Sequence, residues 1–245
     1  MKLRLRFKGG PGDPGSGHHG HRGIPGHHGG SLPGKGGGGA VGKPSVKKKP
    51  VVTIKPKEPT VEGMSPGFLH ITEADSDIVR EHIEDLNKFP PKLHAEVEKW
   101  IDGVYIGDKP ITQLDANEHL IGITPRGWPA DMTWDTVAGG VTPSGVMLGK
   151  GDHGCASLAG HEYGHAIGRV TQLENSAAMI THHKRLYSKL DPYLKGTGAG
   201  SHSGRQETFA EAIAEMITFG DDEAVQSYDA AYIKWLRKEV FDKWK

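Results

Sequence analysis

The chain has 245 residues with 30 basic and 30 acidic side chains, and Cys155 is its single cysteine. With one cysteine no intrachain disulfide forms, which excludes the small disulfide-stapled class. No apolar run approaches the roughly 18–20 residues that span a bilayer. The charge balance hides an asymmetry: residues 1–60 carry twelve Lys/Arg against Asp13 and Glu58, leaving 18 basic against 28 acidic groups in residues 61–245. The same sixty residues hold 16 of the 36 glycines and 8 of the 16 prolines. Such a segment buries too little apolar surface to offset chain entropy, so it reads as a disordered tail and linker, and residues 61–245 read as the folded domain.

In chain order, Leu3–Phe7 alternates apolar and basic residues with a strand-like period of two. No h-region follows it, so a Sec signal peptide is not expected, and delivery is left to a non-Sec route or to a virion. Gly17, Gly20, Gly23, Gly26 and Gly29 recur every third residue, and the block Gly-His-His-Gly appears twice. The paired histidines there (His18, His19, His27 and His28) are metal-capable, but a flexible tail is the simpler reading. The Lys/Pro-rich linker that follows, with Lys47, Lys48 and Lys49 in a row, can contact a polyanion.

The folded part opens with a helix expected over Ser76–Lys88, capped by Asp75 or Ser76. Pro90-Pro91 ends it and starts a second helix through Leu93, Val97, Trp100 and Ile101. Strands are expected at Gly103–Gly107 and Gly145–Gly149, with a weaker strand signal near Leu120–Ile123. Further helices are expected at Cys155–Arg169, Ser176–Leu190, Gln206–Phe219 and from Asp222 to the carboxyl end. Helices before and after a small sheet make an α+β domain. Trp128, Trp134, Trp235 and Trp244 read as core or docking groups.

The chemistry concentrates in His161-Glu162-Tyr163-Gly164-His165. On a helix, residues four apart share a face, so both imidazoles reach one metal ion while Glu162 stands beside the attacking water. Zinc suits nitrogen and carboxylate ligands. A third ligand is needed. The extended pattern with a third histidine requires His at 171, where the sequence has Thr171. The ligand therefore comes from a later element, with Glu174, His182, His183, Asp191, His202, Glu207 and Glu211 as candidates. Glu207 and Glu211 stand out, one turn apart on a helix, where unrelieved like charges are unfavourable. Gly160, Gly164 and Gly168 form a bare ridge on the motif helix, costing about 1 kcal/mol each relative to alanine, and mark the seat of a closely packed element. Cys155, near the start of that helix, reads as a small packed residue, and Asp152 and His153 as turn and cap groups.

His-Glu-Tyr-Gly-His-Ala at 161–166, followed by Glu-Thr-Phe-Ala-Glu at 207–211, resembles the zinc-protease domain of anthrax lethal factor and the related Pro-Pro endopeptidases, over residues 70–220 at most. The resemblance implies a zincin-like fold and a zinc-dependent endopeptidase acting on a peptide or protein substrate. By it, His161, His165 and Glu207 are the zinc ligands, Glu162 is the general base and Glu211 the supporting carboxylate. The family also carries an oxyanion-steadying tyrosine seven residues before the ligand glutamate. That position is Gly200 here, so Tyr193 and His202 are the candidate substitutes. The strand at 145–149 is expected to offer its edge to an extended peptide. The Gly/His/Pro tail resembles segments of phage head-associated proteins, which makes a virion or scaffold component with a polyanion-binding tail the alternative function.

Overall fold

The structure, a computed structural model, describes residues 59–115, 117–125 and 131–245. The tail, the linker, the Leu3–Phe7 strand and Trp128 lie outside the described residues.

Four short strands form one sheet. β1 (Leu69–Ile71) leads through α1 (Asp77–Leu86) and α2 (Pro91–Val97) to β2 (Val104–Ile106), and a long segment with three single-turn 3-10 helices then leads to β3 (Gly139–Thr142) and β4 (Gly145–Leu148). The sheet order is β1-β2-β4-β3, with parallel β1/β2 and β2/β4 pairs and an antiparallel β3/β4 hairpin. The period of two sorts its side chains. Val104, Ile106, Val146 and Leu148 enter the main core with the helices, whereas Tyr105 and Met147 pack on the opposite face with Ile111, Leu114 and Leu120. Both central strands are therefore buried on both faces, which is why they read as continuous apolar runs.

The remaining helices are α3 (Leu158–Thr171), α4 (Ala177–Leu186), α5 (Pro192–Lys195), α6 (His202–Phe219), α7 (Asp221–Ser227) and α8 (Ala230–Leu236), closed by a π turn and a 3-10 turn. This is the expected α+β architecture, helices before and after a small sheet. No helix among the described residues is long and apolar enough to cross a membrane.

Several expected boundaries move for local reasons. The motif helix starts at Leu158 rather than Cys155, because Ser157 caps it: its hydroxyl accepts from Gly160 N at 2.8 Å and donates to Asp85 at 2.5 Å. Ser76 precedes α1 without a side-chain cap, its hydroxyl being bonded to Asp108 instead. α2 ends at Val97, leaving Trp100 exposed. The helix expected over 176–190 stops at Leu186, and Asp191-Pro192 then opens the separate α5, Asp191 accepting from Tyr193 N at 3.0 Å. The carboxyl-terminal helix is broken between α7 and α8, where Asp229 caps the latter. In place of the weak strand near Leu120–Ile123 there is a 3-10 turn over Glu118–Leu120.

The glycine ridge faces α6. A Cβ on Gly160 would lie 3.0 Å from Ala214 Cα, and one on Gly164 would lie 3.0 Å from Ala210 Cα and 3.3 Å from its carbonyl oxygen. Gly168 meets Phe209 and the Glu174 carboxylate. The two helices thus touch almost backbone to backbone, with Ala210 and Ala214 as the matching small residues. Gly164→Val should destabilise the protein by about 1–3 kcal/mol, since overpacking against main chain outweighs the few tenths gained in helix propensity. A denaturation midpoint equal to that of the wild type would show that the contact has slack.

Candidate metal centre

α3 and α6 bring the motif residues together. His161 Nε2 and His165 Nε2 lie 3.1 Å apart, and Glu207 Oε2 from α6 lies 3.4 Å from the first and 3.5 Å from the second. On the far side of His161, Nδ1 is 3.0 Å from Glu211 Oε2, while Glu211 Oε1 accepts from Ala156 N at 3.2 Å. That second carboxylate fixes the tautomer: Nδ1 carries the hydrogen and donates it, so the Nε2 lone pair points at His165 and Glu207. Glu207 Oε2 is buried without a hydrogen bond.

Three possible ligand atoms, two ring nitrogens and a carboxylate oxygen, therefore converge within 3.5 Å of one another. A tetrahedral ion with bonds of about 2.0–2.1 Å requires its ligand atoms to stand roughly 3.3–3.4 Å apart, and the observed triangle has nearly those sides. The group fits zinc. Its electrostatics favour positive charge as well. Burial opposes protonation of His161, but Glu207 and Glu211 outweigh it and lift the pKa to about 10. Burial also opposes ionisation of Glu207, yet the two imidazoles hold its carboxyl well below the usual range.

Glu162 follows His161 on α3 and faces the sheet. Burial raises its carboxyl above the ordinary glutamate value, against the pull of the two histidines. A Cβ on Gly139 of β3 would lie 2.9 Å from Glu162 Cγ, so the start of that strand rests directly on this side chain. β3, not the expected strand at 145–149, is the sheet edge beside Glu162, because β4 is paired on both sides by β2 and β3 and the other edge is β1. The sequence reading missed β3 because Gly139-Gly140 breaks strand propensity. The bareness is used: Gly139 clears Leu158 and Glu162, and Gly140 lies beneath Trp134.

Of the two substitutes for the family tyrosine, the structure brings one into the site. Tyr193 is hydrogen-bonded to Glu207, and burial, followed by the nearby Glu207 charge, pushes its phenol far up, so it stays a protonated donor. His202 is exposed in the first turn of α6 and makes no contact with the His161, His165 and Glu207 triangle among the described residues. Gly200 has φ +78°, a left-handed conformation that disfavours a tyrosine there. His183, another candidate ligand, is structural: it donates through Nε2 to Leu194 O at 3.0 Å and accepts from Gly200 N at 2.7 Å, tying down the loop between α5 and α6. His182 packs at a tilt against the rings of Tyr232 and Trp235. Glu174 is buried against Gly168 and Gln206. Asp191 is the cap of α5. Cys155 is buried 3.2 Å from His153 Nδ1, and burial, then the Glu211 and Glu162 charges, raise its thiol well beyond ordinary reactivity. His153 thus contacts the cysteine, and the cap of α3 is Ser157.

The family described as anthrax toxin lethal factor, N- and C-terminal domain, matches residues 68–230, about two thirds of the chain. The chain belongs to the anthrax lethal factor family. The match runs from just before β1 into α8, so it takes in the sheet, both site helices and every residue of the triangle. Among solved structures, the Pro-Pro endopeptidase PPEP-2 from Paenibacillus alvei superposes with a TM-score of 0.54 at 22% identity, covering 70% of this chain and 96% of that one. This likeness establishes the shared fold. No curated protein matches the chain at a significant level. Lethal-factor-family membership and the Pro-Pro endopeptidase fold together support a peptidase function.

Proposed function

We propose that this chain is a zinc-dependent endopeptidase, with His161, His165 and Glu207 as metal ligands and Glu162 as general base. The observation that carries the reading is the convergence of three ligand atoms, 3.1–3.5 Å apart on two helices, with one oxygen buried and unbonded. A zinc ion held there supplies Lewis-acid polarisation of the scissile carbonyl and brings the pKa of water towards about 7.

The protein's own groups do the rest. Glu211 takes the Nδ1 hydrogen of His161 and so keeps the opposite nitrogen free to ligate. Glu162, its carboxylate made more basic by burial, takes the proton of the attacking water and returns it to the leaving amine. Tyr193, held protonated beside Glu207, donates to the developing oxyanion. The outer edge of β3 pairs with an extended peptide and lays its scissile bond over Glu162. No observation favours the virion or scaffold alternative.

The test is metal analysis combined with cleavage of a peptide library by the full chain. One zinc per chain is expected, with cleavage lost on chelation and restored by stoichiometric zinc. Undiminished cleavage by the zinc-free protein, or full zinc content in a His161→Ala, His165→Ala double variant, contradicts the reading.

A further inference from the structure

The cleft carries a positive charge that the proposed chemistry does not use. Arg169 lies in the last turn of α3, seven residues after Glu162, and residues seven apart on a helix share a face. The side chain is exposed, and its Nη1 donates to Val141 O on β3 at 3.3 Å. Among the described residues no carboxylate forms an ion pair with it.

The strand geometry fixes where that charge sits along a bound peptide. Gly149 N donates to Ala138 O at 2.8 Å, so the Ala138 carbonyl points inward to β4. Carbonyls alternate along a strand, which turns those of Gly139 and Val141 to the open edge. Gly139 rests on Glu162, whereas the Val141 carbonyl is occupied by Arg169. A peptide added antiparallel, the slightly more stable pairing, runs opposite to β3. Its residue facing Val141 is then two positions N-terminal to the residue facing Gly139 and Glu162.

We propose that Arg169 is a specificity-determining residue that receives an acidic side chain two or three positions N-terminal to the scissile bond. The proposal rests on the endopeptidase reading for the position of that bond. On binding, the peptide displaces the guanidinium from the Val141 carbonyl, which is needed for the strand ladder. The guanidinium exchanges a bond to a neutral oxygen for a charge-assisted one to a carboxylate. A neutral residue at that position offers the exposed arginine no more than water does, and a basic one repels it, which is how the site discriminates.

The experiment uses the full chain carrying Glu162→Gln, so that ligand is not consumed, and fluorescein-labelled octapeptides that differ only by Asp, Asn or Lys at each position in turn. Fluorescence anisotropy at low salt should show one or two adjacent positions where Asp binds about three- to tenfold more tightly than Asn, a preference that fades as salt is added. Adding Arg169→Gln should abolish the preference, and adding Arg169→Glu should invert it in favour of Lys. Both variants replace an exposed side chain, and agreement between them separates recognition from a folding defect. The absence of any charge preference, or a ranking that Arg169→Glu leaves unmoved, overturns the proposal. Digestion of the same peptides by the zinc-loaded wild type is the second arm. Failure to cut any of them, with the Asp preference intact in binding, overturns the endopeptidase reading and upholds the acidic subsite.

Discussion

Glu162→Gln should lower kcat by about 10²–10⁴ while leaving one zinc per chain, because the substitution removes a proton acceptor and keeps nearly the same volume. The split between chemistry and metal follows from the geometry. Glu162 is not part of the triangle formed by His161, His165 and Glu207, and its side chain lies instead beneath Gly139. An amide in the same place cannot take the water's proton, yet it preserves the packing against β3. Tyr193→Phe is the informative control. It also keeps zinc, but it removes a donor to the oxyanion, so kcat should fall with little change in KM and without loss of the general base. Zinc analysis beside steady-state cleavage checks both. A Glu162→Gln protein that cleaves at the wild-type rate would mean that another group takes the proton.

The contrast between these residues and the rest of the chain explains what the sequence made legible. His161, Glu162 and His165 span just over one helical turn, and helix periodicity alone puts the two histidines on one face with Glu162 beside them. Glu207 and Glu211 lie more than forty residues away, and only the ridge of Gly160, Gly164 and Gly168 hinted at which element would close on the motif helix. The structure seats that ridge on Ala210 and Ala214, a contact of small residues that hydrophobic patterning does not register. β3 was invisible for the opposite reason. Its Gly139-Gly140 start has poor strand propensity, and it forms a strand because the two-residue turn at Pro143-Ser144 folds it back on β4. Between Tyr193 and His202 the sequence offered no choice. Their difference arises because Asp191-Pro192 starts a short helix that turns Tyr193 inward, while His202 falls on the outer side of the first turn of α6.

Glu207→Ala should abolish stoichiometric zinc binding, whereas Glu211→Ala should weaken it by about 10–100-fold, the range for a group that orients a ligand without touching the metal. The two carboxylates are one turn apart on α6, and their surroundings set them apart. Glu207 presents a buried oxygen, without a hydrogen bond, to both imidazoles. Both oxygens of Glu211 are already engaged, one by His161 Nδ1 and the other by Ala156 N. Stability of the zinc-free protein should rank the variants the other way. Glu207→Ala removes an unbonded buried carboxylate oxygen and releases the Tyr193 hydroxyl, two opposing changes of similar size. Glu211→Ala leaves the buried His161 ring without its acceptor and the Ala156 amide without a partner, a loss of about 1–3 kcal/mol for each unsatisfied group. A competition titration with a zinc-binding dye, run beside urea denaturation of the chelated proteins, reads both quantities. Weaker zinc binding in Glu211→Ala than in Glu207→Ala would make Glu211 the ligand and would require the His161 ring to present Nδ1 to the metal.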